Sequence, residues 1–133
     1  MIFIDSNVPM YLIGAAHPHK AEAQIILERL AAAGQRLVTD AEVLPEILHR
    51  YTAINKRDAI GPALQAMLGI IDQVLPIEKG DVMRAAEIMR NPALLSARDA
   101  VHIAVMERHE IRSIFSFDAD FDRWPGLQRI HRI

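Results

Sequence analysis

Short apolar-centred runs alternate with longer stretches whose apolar residues recur every three or four positions, and this alternation narrows the chain to one class of fold. The runs are "MIFI" (residues 1–4), "QRLVT" (35–39), "VLPI" (74–77) and "RSIFSF" (112–117), with "LQRIHRI" (127–133) as a short last one. Each is too short for a helix and reads as a buried strand, the third weakened by Pro76. Between them, "SNVPMYLIGAA" reads as a short helix that tolerates Pro9 in its first turn, and residues 19–33 as a longer one stopped by Gly34. "TDAE" (39–42) has the form of a capping box opening a helix to about Ile54. Asn55 can cap a further helix to about Gln73, bent near its start by Gly61-Pro62. Residues 79–90 are helical, "NP" at 91–92 is a break, and "SARD" (96–99) is a second capping box opening a helix to about Glu110. Strands alternating with helices predict an α/β fold with a mainly parallel sheet.

In such sheets ligands bind beyond the carboxyl ends of the strands, and two of these strands end in aspartate, Asp5 and Asp118. Asp118 also begins a run of three aspartates on alternate positions, Asp118, Asp120 and Asp122, which repel one another unless a cation or a turn uses them. The chain has 133 residues and reads as a single domain spanning 1–133. With a net charge of −2 it has no global attraction for nucleic acid, so a nucleic-acid partner must meet a local patch. It has no cysteine, which excludes disulfides and thiolate zinc sites. No segment approaches the roughly 20 apolar residues of a spanning helix, and "MIFIDSN" runs into a strand without a basic leader. The expectation is a cytoplasmic protein with no membrane association.

Two helices supply further acids. Glu42 has a local use in the capping box, whereas Glu46 sits inside the apolar run "VLPEIL", where an acid needs a partner. Asp99 lies in the first turn of its helix, where the helix dipole favours its ionised form. A capping role and a metal-binding role are compatible there. Four acids from four separated segments, without cysteine, suit Mg²⁺ or Mn²⁺ better than zinc.

The stretches "MIFIDSNVPMYLI", "TDAEVLPEILHR", "LLSARDAVHIAVM" and "SIFSFDADFDRWPGL" together resemble, in order and spacing, the motifs of the PIN domain, above all the VapC-type toxin ribonucleases of bacterial toxin–antitoxin pairs. The resemblance runs the length of the chain. It implies a PIN-like three-layer fold, a five-stranded sheet between helices, with Asp5, Glu46, Asp99 and Asp118 gathered at one pocket. It implies Mg²⁺- or Mn²⁺-dependent endoribonuclease activity on RNA, such as tRNA or rRNA. It also implies inhibition by a cognate antitoxin protein and a homodimer. Asn7 and Ser116 match positions that often hold polar residues near the metal, and Asp122 is a further candidate, acting through a water. Two departures are Gly61-Pro62 in the helix over 55–73 and Pro45 immediately before Glu46.

Competing readings exist for several residues. The spacing "DADFD" is not an EF-hand, because Arg123 and Arg129 stand where glycine and glutamate are required. A phosphatase with Asp5 as nucleophile wants an acid two residues later, where Asn7 stands. A non-catalytic PIN-like module that binds RNA or protein is the alternative function, and four retained acids argue against it. His102 reads as a packed histidine ahead of a general base. Lys56 and Arg57 read as a solvated helix face ahead of a phosphate-contacting patch, with Arg98 the better candidate beside the site. His17 and His19, flanking Pro18, read as a loop, and Phe121 and Trp124 as core closure ahead of base stacking.

Overall fold

The structure, a computed structural model, describes residues 1–91 and 95–132. Its sheet has five strands in the order β3-β2-β1-β4-β5, where β1 is Ile2–Ile4, β2 Leu37–Asp40, β3 Gln73–Leu75, β4 Ser113–Phe115 and β5 Gln128–Ile130. Every pairing is parallel, with Ile2 opposite Leu37 on one side and Ser113 on the other. The helices are α1 (Asn7–Ile13), α2 (Pro18–Ala32), α3 (Val43–Ala53), α4 (Ile60–Ile70), α5 (Lys79–Ile88) and α6 (Ala97–Arg108). They pack as two groups, α5 on α6, and α1 against α2 and α4 with α3 on α4, which gives the expected three-layer arrangement. Among the described residues, no helix is long and apolar enough to cross a membrane.

Burial follows position in the sheet. β1 and β2 are buried at every residue, while the edge strands β3 and β5 keep exposed positions. Phe3, Phe115 and Phe121 are wholly buried at the centre of the core, each contributing about 1.5–3 kcal/mol by burial. Consecutive strands run outward from β1 through β2 to β3, and the chain then returns to place β4 on the other side of β1. The order therefore reverses between β1 and β4, and a crevice opens at the carboxyl ends of those two strands.

Several local expectations change. Thr39 does not open a capping box: it is a buried residue of β2, and its hydroxyl donates to the Ile4 carbonyl at 2.8 Å. Asp40 does the local work instead, its Oδ1 accepting from the Val43 amide at 3.2 Å, and Glu42 makes no side-chain cap. Asn55 ends α3 rather than starting the next helix. With φ of 58° it is the left-handed residue of a Schellman motif, in which the Lys56 amide reaches the Tyr51 carbonyl at 2.7 Å. Gly34 performs the same function after α2, with φ of 70° and the Gln35 amide on the Leu30 carbonyl at 3.1 Å. A 3-10 turn, Arg57–Ala59, precedes α4, whose first turn accommodates Gly61-Pro62. Ser96 caps α6 by accepting from the Asp99 amide at 3.2 Å. The expected break at 91–92 falls partly outside the described residues.

Candidate active site at the sheet switch point

Asp5 leaves the end of β1 directly into the crevice and is only 4% exposed. Its Oδ1 accepts from the Ser6 amide at 2.8 Å, and its Oδ2 from the Ser116 hydroxyl at 2.6 Å and the Asn7 amide group at 3.2 Å. Burial pushes the Asp5 carboxyl up from the usual carboxylate range, against the opposing pull of His102 and the Ser116 hydrogen bond. Ser116, at the end of β4, ties the two strands together: the same Oγ accepts from the Asp118 amide at 3.0 Å and from Asn7 at 3.2 Å. Asn7 and Ser116 therefore sit against Asp5, with Ser116 also holding the Asp118 amide. Asp118 caps the following turn through the Asp120 amide at 2.9 Å and still lines the cleft.

Glu46, in the first turn of α3, finds the partners its apolar surroundings demand. One oxygen accepts from the Ser6 hydroxyl at 3.0 Å, and the other meets Nε2 of His102. The opposite ring nitrogen of His102 bonds Asp40 at 2.7 Å. His102 and Asp40 are both completely buried. Burial alone would depress the imidazole pKa, but hydrogen bonds to Asp40 and Glu46 and their charges raise it well above 6.5. His102 is thus an imidazolium donating at both nitrogens. Although it lies within 4.8 Å of Asp5 and Glu46, with both nitrogens engaged it is not a free ligand. It is the packed histidine expected, and it fixes the orientation of Glu46. Asp40 and Ser6 were not foreseen. The signal for Asp40 was present in "LVTD", a second buried strand ending, like β1, in an acid.

Asp99, at the third position of α6, approaches from the other side. Desolvation, reinforced by the charges of Asp5 and Asp118, pushes its carboxyl up to about 7. Asp5, Glu46, Asp99 and Asp118 all line one open cleft of about 850 Å³. Carboxylate oxygens of Asp99, Asp118 and Asp120 lie within 4.8 Å of one another. Asp120 thus lies beside Asp99 and Asp118 while its side chain stays 48% exposed. Asp122, expected near the site through a water, is held by Arg129 through two nitrogens at 2.9 and 3.0 Å. Lys56, Arg50 and Arg98 also line the cleft, all three of them exposed. Phe121 closes the core as expected.

An acidic crevice at the switch point of a parallel sheet, with these motifs in this order, has close relatives. The sequence matches the PIN domain family over residues 2–127. It is 56% identical over 130 residues to ribonuclease VapC13 of Mycobacterium tuberculosis, covering 98% of this chain and 99% of that protein. The chain belongs to the PIN-domain family, with the VapC ribonucleases. Among solved PIN-domain structures, VapC20 of Mycobacterium tuberculosis, described as a sarcin–ricin loop cleaving toxin, superposes with a TM-score of 0.73 at 24% identity, over 92% of this chain and 93% of that one. VapBC2 of Rickettsia felis, solved bound to a DNA fragment from its promoter, gives a TM-score of 0.73 at 17% identity, over 98% of both chains. These two likenesses establish the fold. In this PIN domain the four cleft acids offer oxygen donors only, and burial together with the charges of Asp5 and Asp118 raises the Asp99 carboxyl. Those features fit a hard divalent cation.

Proposed function

We propose that this PIN domain, a single domain over residues 1–133, is a Mg²⁺- or Mn²⁺-dependent endoribonuclease and the toxin of a toxin–antitoxin pair. The observation that carries the reading is the convergence of Asp5, Glu46, Asp99 and Asp118 on one cleft whose rim also carries Arg50, Lys56 and Arg98. The identity to a curated ribonuclease supports the substrate class. Asp5, Asp99 and Asp118 hold the ion, and Glu46 holds either the ion or the attacking water. When bound, the ion polarises the phosphodiester and lowers the pKa of a coordinated water.

The chain's own groups do the positioning. Ser116 and Asn7 fix the Asp5 carboxylate by hydrogen bonds, and Ser6 and His102 fix Glu46. The ionised form of Asp99 is the one that serves, so its proton must leave as the site fills. Arg98 and Lys56 hold backbone phosphates of the RNA, a sequence-independent contact that sets register. The RNA is a tRNA or rRNA, and the site of action is the cytoplasm. A homodimer and a cognate antitoxin protein complete the system. Leu68 on α4 and Val82 and Met83 on α5, each more than half exposed, are apolar side chains for such partners to cover.

The test is cleavage of a total tRNA and rRNA pool by the purified, antitoxin-free protein with Mg²⁺, Mn²⁺ or EDTA, beside an Asp5→Asn preparation made identically. Discrete metal-dependent fragments that vanish in Asp5→Asn, with an unchanged circular dichroism spectrum, are the expected result. Equal cleavage by both preparations, or cleavage that persists in EDTA, refutes the assignment.

A further inference from the structure

We infer that Tyr11, His17 and Phe117 form a stacking subsite for one unpaired nucleobase of the substrate, next to the bond that is cut. The inference rests on the ribonuclease reading and adds a specificity element to it.

Four rings from three segments meet at one wall of the acidic cleft. Tyr11 comes from α1, His17 and His19 from the start of α2, and Phe117 from the residue before Asp118. Tyr11 lies 5.0 Å from His17 and 5.2 Å from Phe117, and His19 stacks flat on Phe117 at 4.2 Å, centroid to centroid. Tyr11, His17 and Phe117 line the cleft. Phe3, Phe115 and Phe121 are wholly buried, whereas Tyr11 and Phe117 are half-buried and His17 is exposed; Phe117 packs one side on the core through Phe115, 5.4 Å away, and keeps the rest at the cleft. Partly exposed rings, packed edge and face against one another beside a charged cleft, present an aromatic surface to whatever enters it.

The wall is also held in place. Lys20 donates to the Gly14 carbonyl at 2.9 Å, and Nδ1 of His17 accepts from the His19 amide at 3.0 Å. At Gly14 the backbone passes so close to α1 that a Cβ would meet the Met10 carbonyl oxygen at 2.9 Å. Phe117 adjoins Asp118 and Tyr11 is one turn along α1 from Asn7, so the elements that fix the acids also fix the rings. With Arg50, Lys56 and Arg98 at the same cleft for phosphates, the ring wall offers a face to a base that enters it. A base offers its face only when it leaves the helical stack, so the wall selects unpaired nucleotides. Stacking reads no base edge, and the selection is for single-strandedness more than for base identity.

The test places single-stranded RNA octamers, each with 2-aminopurine at a different position, on the non-cleaving Asp5→Asn protein. Fluorescence quenching is expected at one position, and it is absent when the octamer is annealed to its complement. Tyr11→Leu with His17→Ala should weaken binding by about five- to a hundredfold and abolish the quench, while Tyr11→Phe with His17→Phe should keep both. His17→Ala alone, at an exposed position, carries the test if the double variant misfolds. Undiminished binding and quenching in the Leu/Ala protein overturn the stacking subsite alone. Failure of the octamers to bind while the unsubstituted protein cleaves RNA overturns it as well. If the unsubstituted protein neither binds nor cleaves RNA, the ribonuclease reading falls and takes this inference with it.

Discussion

Replacing His102 with leucine removes the one cation of a buried chain, Asp40–His102–Glu46, while roughly preserving volume. Asp40 has no exposure; one of its oxygens would still accept from Val43, and the other would face the core unpaired. Breaking a buried ionic pair by removing one partner costs about 3–5 kcal/mol. For 133 residues, an unfolding entropy of about 2.1 cal/mol/K per residue makes each kcal/mol worth about 3–4 °C, so Tm should fall by about 11–18 °C. The loss depends on pH with a definite sign. The native pKa of His102 is raised above its ordinary 6.5, so its stabilisation is full below pH 6.5 and disappears as pH rises through the raised native value. Thermal unfolding followed by circular dichroism in EDTA, at pH 6 and pH 9, should show the larger gap between the two proteins at pH 6. Adding Asp40→Asn to His102→Leu should cost less than the sum of the single changes, because no unpaired carboxylate is then left in the core. A loss under about 1 kcal/mol at pH 6, or a gap that widens with pH, would refute the ionic description of this chain.

Ser116→Ala should lower Mn²⁺ affinity by about ten- to a hundredfold, the usual effect of removing a group that orients a metal ligand; isothermal titration of the two proteins measures it, and equal affinities would detach Ser116 from the site. Asp99→Asn should stabilise the protein at pH 8 in EDTA by about 1 kcal/mol, discounted for partial exposure. The sign follows from an Asp99 pKa raised to about 7: ionising this carboxyl costs native stability as pH climbs from 3.8 through that value. The same substitution should abolish the rise in Tm that Mn²⁺ gives the unsubstituted protein, a rise equivalent to about 2.7 kcal/mol at one hundred times the dissociation constant.

The strand–helix alternation was legible because its cause is local. Apolar runs such as "MIFI" and "SIF" are buried on both faces wherever they pair, and helical periodicity survives any tertiary arrangement. Asp5 and Asp118 were legible as strand-end acids for the same reason, and Glu46 because an acid in "VLPEIL" requires a partner. What the sequence left undecided depends on pairs distant along the chain. "TDAE" carries the letters of a capping box, but Thr39 is drawn into β2 by its bond to Ile4, thirty-five residues away, and local propensity yields to the sheet. Asn55 has the identity of a cap, and only the left-handed backbone at the end of α3 shows that it closes one helix instead of opening another. Asp120 and Asp122 are indistinguishable in "DADFD" until the turn directs one toward Asp99 and the other onto Arg129. The partner of Glu46 is likewise unreadable in advance, since His102 lies fifty-six residues away and is held from behind by Asp40. Composition and periodicity determine which residues are buried and which strands end in charge. Only the order of strands, which brings β1 beside β4, decides which of those charges must share a space.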